Sequence, residues 1–456
     1  MEGLEVSEVL LSELERSSRI DAEFYAKENL AFLSKLEKFT IQSITNFVRV
    51  SDGNHMSISE SFSEMGIPYY RGQDIHHNFI ENSSPICINE ATYSLPVMSR
   101  SHLKKGDILL SIVGTIGGLS LVTTNNKATC SCKLAILRPK KGVNPNTIFI
   151  FLKSKYGQNQ IKKFTRGAVQ MGLILEDMDQ IKIPNFSSAL QNKIEALVSS
   201  AFEKLQKSKE AYQTAQNLLL EHLDLKDFNP PTQTVNIKSF TDSFGTSGRL
   251  DAEFYQEKYD VLIQKMKSQE YDRLKNLVSI KKSIEPGSSA YDEQGLPFIR
   301  VSDYDKFQIS SPAKYLSDAY CQEYCEILKN LQPKKGTILF SKDGTVGIAH
   351  LLSKDLDGIT SGAILHLKVK DKRILPEYLT LVLNSLAVQM QAERDVGGSI
   401  IQHWRVEEIK EVVIPIISME AQTQIADLIR QSKCLRQESQ ALLEEAKRKV
   451  EQAIES

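Results

Sequence analysis

Between residues 188 and 224, apolar or small side chains return every seven positions in two series: Ile194, Ala201, Ser208, Ala215 and Val198, Leu205, Tyr212, Leu219. No Pro or Gly interrupts the stretch. A period of seven belongs to a helix lying along another helix. At 1.5 Å per residue its 37 residues predict a rod of roughly 55 Å. Such a stripe needs a cover, and the end of the chain supplies one. From 421 to 454 the spacing returns as Ile425, Ser432, Ser439, Ala446, Ala453 and as Ile429, Leu443, Val450, with Arg436 breaking the second series. The prediction is two antiparallel rods packed together. From about 41 to 186 and from about 270 to 415 the texture is different. Short β-prone runs such as GIPYYRG, DILLSIVG, LAILRP, GLPFIRV and AILHLKV are divided by Gly, Pro, Asn and Asp. A helix is predicted over 144–163, opening after Pro145, and another after Pro376. RIDAEFY with the following KENLAFLSKLEKF suggests a helix entering the first domain, with Asp21 or a neighbour near its start.

The chain is written twice. RIDAEFY at 19–25 returns as RLDAEFY at 249–255, and GIPYYRGQDI at 66–75 as GLPFIRVSDY at 295–304. KKGDILLSIVGTIG at 104–117 returns as KKGTILFSKDGTVG at 334–347, and IKIPNFSSALQNKI at 181–194 as VVIPIISMEAQTQI at 412–425. The offset stays between 229 and 231 throughout, which chance similarity does not hold over four blocks. Each copy reads as one globular domain followed by one long helix. The expected division is 1–186, a first rod at 187–225, a linker at 226–248, a second domain at 249–416 and a second rod at 417–456. Pro230–Pro231 is the expected stop for the first rod. The fold class is α+β: two mixed, strand-rich domains with pseudo-twofold symmetry, separated by two long antiparallel coiled-coil helices. That symmetry suits a twofold ligand such as duplex DNA, and equally a twofold set of protein partners.

Composition narrows little. Hydrophobic content of 41% and charged content of 25% are those of an ordinary folded chain. The 56 basic and 57 acidic residues nearly cancel, so contact with a polyanion must be confined to one face. No apolar run is long enough to span a membrane. The acidic start MEGLEVSEVLLSELERSS does not resemble a secretory signal. Six scattered cysteines are most simply free thiols in a cytoplasmic protein.

Catalytic chemistry is hard to find. GTIGG at 114–118 and GTVG at 344–347 lack the spacing of a dinucleotide fingerprint. They read as tight turns between strands or as backbone N–H groups set against a phosphate. No HExxH pair, zinc-type Cys/His spacing or GxSxG serine is present. The only Pro-Pro, in Asn229–Thr232, lacks the aromatic of an adenine methyltransferase tetrapeptide. Basic and amide residues at turns remain. The first domain offers Asn54, His55, Arg71, Gln73, His76, His77, Arg166 and Gln170, with Arg49 and Lys133 nearby. The second offers Lys281, Lys282, Arg300, Lys342, Arg394, Gln402 and His403, with Lys306. Arg and Lys read guanine edges, Asn and Gln read adenine, and all four grip phosphate. Arg71 and Arg300 occupy equivalent places, which suggests a shared structural role. The turns at 52–55 and 281–287 diverge between copies, as two different base-reading surfaces would and as drifting loops would too.

Taken in order and twice over, these blocks resemble the specificity (S) subunit family of Type I restriction–modification systems across essentially the whole chain. The resemblance implies that each domain reads one half of a split site in double-stranded DNA. It implies that the antiparallel helices, carrying Ile194, Val198, Leu205, Tyr212, Leu219, Ile425, Ile429, Leu443 and Val450, set the spacing and dock two modification (methyltransferase) subunits. Methyl transfer from S-adenosylmethionine and cleavage driven by ATP and Mg would then belong to modification and restriction partner subunits, leaving this chain non-catalytic and free of cofactors. A rod of roughly 55 Å could separate two heads by more than one turn of DNA, about 34–36 Å. A non-DNA-binding coiled-coil scaffold with two protein-binding domains is the alternative from a different class.

Overall fold

The computed structural model describes residues 5–12, 14, 19–75, 77–80, 85–167, 171–231, 233, 235–397 and 402–456. They fall into two units, Met1–Leu205 with Gln437–Ser456, and Gln206–Arg436. The principal helices are α1 (Lys27–Leu36), α2 (Pro145–Lys153), α3 (Lys155–Lys163), α4 (Ser188–His222), α5 (Glu257–Lys267), α6 (Pro376–Leu383), α7 (Leu386–Asp395) and α8 (Met419–Glu455).

The first unit holds strands β1 (Ile41–Ser43), β2 (Val48–Asp52), β3 (Phe62–Ser63), β4 (Ile67–Tyr70), β5 (Cys87–Ile88), β6 (Ile108–Ser111), β7 (Leu119–Leu121), β8 (Thr129–Cys130), β9 (Leu134–Pro139) and β10 (Lys182–Pro184). Its central sheet runs β2-β9-β6-β7, all antiparallel. A second sheet runs β3-β5-β4-β8, with β4 and β8 parallel. β6 and β9 are covered on both faces, which is why ILLS and LAIL read as unbroken apolar runs. Ile108, Leu110, Ala135 and Leu137 face the main core. Leu109, Leu134 and Ile136 face a separate cluster with Tyr70, Ile75, Leu103 and Cys130. That main core also takes Ile194, Val198, Ala201 and Leu205 of α4 and Leu443, Ala446, Val450 and Ile454 of α8. The heptad stripe thus packs against the sheet-and-helix body as well as along its partner helix. The short antiparallel pair β1·β10, with Ile41 opposite Pro184, closes the module at its own ends.

The second unit repeats the plan with β11 (Tyr271–Arg273), β12 (Val278–Lys282), β13 (Tyr291–Asp292), β14 (Leu296–Ile299), β15 (Tyr315–Leu316), β16 (Ile338–Ser341), β17 (Ala349–Leu351), β18 (Ile359–Thr360), β19 (Ile364–Val369) and β20 (Val413–Pro415). The sheets are β12-β19-β16-β17 and β13-β15-β14-β18, and the pair β11·β20 closes the module. Ala215, Leu219, Ala421 and Ile425 join its main core.

Small residues let the helices approach closely. In the first unit Ser439 Oγ donates to the Ala201 carbonyl at 2.7 Å. In the second, Ser208 and Ser432 hydroxyls donate to each other's carbonyls, both at 2.7 Å. These pairings make α4 and α8 antiparallel and satisfy buried hydroxyls that would otherwise be costly. Arg436, the break in the series, lays its guanidinium over Phe307, 4.0 Å from the ring centroid.

Several local expectations are corrected. RIDAEFY is a turn, and the helix begins only at Lys27. Asp21 accepts from Nε and Nη2 of Arg19 at 2.7 and 2.8 Å and from the Phe24 N–H at 3.1 Å. The Arg19 hydrogen bond holds the Asp21 carboxyl below its ordinary pKa. Arg249 and Asp251 repeat the clamp at 2.8 and 2.6 Å. The Arg249 guanidinium also donates to the Asp395 carbonyl at the end of α7 (2.8 Å), where helix carbonyls lack partners. The helix expected over 144–163 is two. Ser154 is extended (φ −68, ψ 162) and caps α3 by accepting from the Gly157 N–H. A Cβ at 157 would lie 2.3 Å from the Phe151 carbonyl oxygen, so only Gly allows this crossing. The first rod, expected over 187–225, ends at His222, and Asp224, whose φ of 52 reverses the chain, stops it ahead of Pro230–Pro231. The Leu225 N–H then reaches the Leu220 carbonyl at 2.7 Å, a left-handed C-terminal stop. Cys130 closes β8, and Cys132 lies in the following turn.

Asp107 is fully buried and takes Arg138 in two hydrogen bonds, 2.8 and 2.7 Å, plus the Lys104 N–H at 2.8 Å. Removing one partner of such a pair strands a buried charge, so Arg138→Ala is expected to cost about 3 kcal/mol in chemical denaturation. The second copy carries Thr337 and Lys368 at these places. The double variant Asp107→Thr, Arg138→Lys is therefore expected to recover most of the loss. A double variant no more stable than Arg138→Ala would refute this account.

Candidate nucleic-acid interface

In the first unit three loops meet. The first is the 3-10 turn Gly72–Asp74, capped by Arg71. Its backbone N–H takes Asp74 Oδ2 at 2.8 Å and its Nε takes the same oxygen at 3.2 Å. The second is the GTIGG turn between β6 and β7, where Thr115 Oγ1 donates to the Gly72 carbonyl at 3.1 Å. The third is formed by residues 165–167 and 171–173, where Arg166 and Gly172 exchange backbone hydrogen bonds at 2.8 and 2.7 Å, while the Leu173 N–H reaches the Ile112 carbonyl at 2.9 Å. Arg71, Gln73 and Arg166 are thereby placed on linked loops. The guanidinium of Arg166 is held by Asp177 at 2.6 Å. Gly117 has φ 88, and its carbonyl accepts from Gln158 of α3 at 3.2 Å, which fixes the turn on the helix.

The second unit repeats the junction. Arg300 caps Val301–Asp303 as Arg71 caps its own turn. The Gly344 N–H donates to the Gln402 carbonyl at 2.9 Å, and Trp404 N–H to the Lys342 carbonyl at 2.8 Å. Lys342 and His403 both engage Asp343, the imidazole Nδ1 at 2.9 Å. Arg394 Nε is bonded to Asp395 at 2.7 Å, and burial raises the Asp395 pKa. Gln389 reaches the Gly347 carbonyl at 2.8 Å as Gln158 reaches Gly117.

The remaining candidates lie elsewhere or are occupied. Asn54 is buried and hydrogen-bonded at both ends of its amide to the backbone of Met56. His55 is exposed and pairs with Asp52 at 2.5 Å. Lys281 donates to the Asn330 carbonyl, and Lys282 is exposed at the end of β12. The carbonyl of His77 accepts the Ser120 hydroxyl. His76 and Gln170 lie outside the described residues. The helix positions Ile194, Val198, Leu205, Leu219, Ile425, Leu443 and Val450 are buried within their own units, with Tyr212 and Ile429 partly so.

Two participants carried no sequence signal. Arg100 reaches Asp52 from the 3-10 turn Pro96–Ser101 and so braces the His55 turn. Tyr93 stacks on His102 with ring centroids 3.8 Å apart. Among the described residues no group of three or more His, Cys, Asp or Glu could hold a metal ion. No helix among them is long and apolar enough to cross a membrane.

The family model for the Type I restriction modification DNA specificity domain matches residues 33–211 and again 266–445. This chain belongs to that family. DNA target recognition is therefore its work, and the scaffold reading is not favoured. Each match spans one strand-rich module and the start or body of its long helix, so the duplicated sequence is a duplicated specificity domain. The chain is similar to the Type I restriction–modification system S subunit from M. genitalium, at 13% identity over 90% of this chain and 96% of that one, with a TM-score of 0.39. It is also similar to the HsdS subunit from Thermoanaerobacter tengcongensis, at 15% identity over 91% and 96%, with a TM-score of 0.30. No curated protein gives a significant match.

Proposed function

We propose that this chain is the non-catalytic reader of a Type I restriction–modification complex, each module recognising one half of a split duplex site. The observation that carries this reading is the repeated family match over two modules that share one framework and differ in their turns. In each copy the framework Arg is tied to its own turn by an Asp three residues on. Base reading then falls to the divergent surroundings: His55 and its neighbours, Gln73, His77, Arg166, Lys281, Lys282, Gln402 and His403, with phosphate contacts setting register. Asn54, Arg71, Arg300, Lys342 and Arg394 support these loops.

The paired helices fix the spacing between half-sites and dock two modification subunits, with restriction subunits joining them. Ile20 and Leu250, at equivalent places in the two repeated leads, are 90% and 78% exposed, which suits two copies of one partner. The partners supply S-adenosylmethionine, ATP and Mg chemistry and the pocket for a flipped adenine, in the cytoplasm. The test is to sequence the methylome of the host strain with and without this gene. A bipartite adenine-methylation motif is expected to disappear on deletion. An unchanged methylome in a strain whose partner subunits are expressed would overturn the proposal.

A further inference from the structure

The duplication supplies an internal reference for a cavity of about 350 Å³ in the second unit, lined in part by Tyr212, Lys306, Phe307, Thr380, Lys433 and Arg436. In the first unit, the places of Thr380, Lys433 and Arg436 are taken by Phe149, Phe202 and Leu205, 231 residues earlier. There all three pack in or against the main core, and Phe202 sets its ring edge-on to Phe79 with centroids 5.2 Å apart. The second copy has exchanged three large apolar side chains for one short hydroxyl and two cations. Volume has been lost and charge brought to half-buried positions.

Those charges are poorly compensated. Burial lowers the pKa of Lys306, Lys433 and Arg436. Among the described residues none of the three forms an ion pair. Lys433 Nζ donates to the Leu351 carbonyl at 2.8 Å. Lys306 and Arg436 lie over the Phe307 ring, 5.1 and 4.0 Å from its centroid. The nearby carboxylates are committed elsewhere: Glu377 pairs with Arg430 at 2.8 Å, and Asp305 Oδ1 accepts the Phe307 and Gln308 N–H groups at 2.6 and 2.8 Å. The Tyr212 hydroxyl is buried with no hydrogen-bond partner. A buried hydroxyl and three under-compensated cations beside an apolar space are costly in an empty protein. They are what an anionic ligand would complete.

We propose that this cavity binds a small organic anion, with one phosphate or carboxylate head held by Lys433, Arg436 and Tyr212 and an apolar body resting on Leu352, Leu381 and Ile429. Its size lies at the lower end of small-molecule pockets, about 300–1,000 Å³. The inference is independent of which DNA sequence the modules read. The test is calorimetric titration of the full chain with phenyl phosphate and with benzoate, which separates the two head groups, and with neutral benzyl alcohol as the control. One saturable site per chain is expected for at least one anion, with benzyl alcohol at least tenfold weaker. Lys433→Phe, Arg436→Leu and Thr380→Phe restore the first copy's side chains, so they are expected to fold and to weaken the anion at least tenfold. Their thermal unfolding, read in parallel, separates lost binding from lost structure. Absence of saturable binding, equal binding of benzyl alcohol, or unchanged affinity in the folded variants would overturn the proposal.

Discussion

Acidification from pH 6.5 towards 4 is expected to destabilise the second unit by up to about 6 kcal/mol through two histidines. His350 and His366 are both buried, and both are pushed down to about 4 from 6.5. Burial is the main cause, reinforced by Lys433 beside His350 and Lys281 beside His366. Each ring has one polar partner: His350 Nδ1 lies 3.0 Å from the Asp305 carbonyl, which offsets the burial only in part, and His366 Nε2 lies 2.7 Å from Thr360 Oγ1. Between pH 6.5 and 4 the unfolded chain binds protons that the folded chain refuses. Stability is therefore complete above pH 6.5 and falls as pH drops to about 4, by roughly 3 kcal/mol for each group. That sum is a large share of the 5–15 kcal/mol that holds a typical domain together.

The first copy is again the reference, since it has Ser120 and Ile136 at these places. His366→Ile and His350→Ser are expected to move the acid midpoint to lower pH, the double variant most. The readout is unusually clean. The single tryptophan, Trp404, is buried in the core of the second unit, so its fluorescence follows that unit alone. A Trp404 acid midpoint that does not move in the double variant would show that these imidazoles are not the acid-sensitive groups.

What was legible in the chain was periodic or repeated. The heptads of 188–224 and 421–454 located two long helices because every seventh side chain must meet the same neighbour. Ser208 and Ser432 fit that stripe only because each finds the other's carbonyl. What the chain concealed was decided by contacts distant in sequence or by single torsions. Nothing in NPNTIFIFLKSKYGQNQIKK announces that Ser154 breaks the helix, because the break depends on Gly157 passing close to Phe151. Nor does Asp224 declare its positive φ ahead of the more conspicuous Pro230–Pro231. Among the candidate site residues, the pairs Arg71–Asp74 and Arg300–Asp303 are visible in the repeated R-x-x-D spacing. Arg166–Asp177 and His403–Asp343 require the fold. The equivalence of Arg71 and Arg300 suggested a shared structural role, and both cap the same turn.

Replacing residues 41–186 with the corresponding module of another specificity subunit is expected to change one half of the methylated motif and leave the other half and the spacing unchanged. The exchange is physically reasonable because the module enters and leaves at one point. Ile41 and Pro184 sit opposite each other in β1·β10, as Tyr271 and Pro415 do in β11·β20. A module closed in this way can be lifted out with little change in where the chain meets α4. The cost is at its packing against Ile194, Val198 and Leu205, so a donor carrying apolar residues on the same face of its sheet and helices is required. Each mismatched base pair weakens recognition by about 1–3 kcal/mol. Loss of a whole half-site should therefore take methylation at the original sequence below detection, while a new sequence sharing the unchanged half gains it. If both halves change together, the two modules do not read independently, and recognition must be a joint property of the chain.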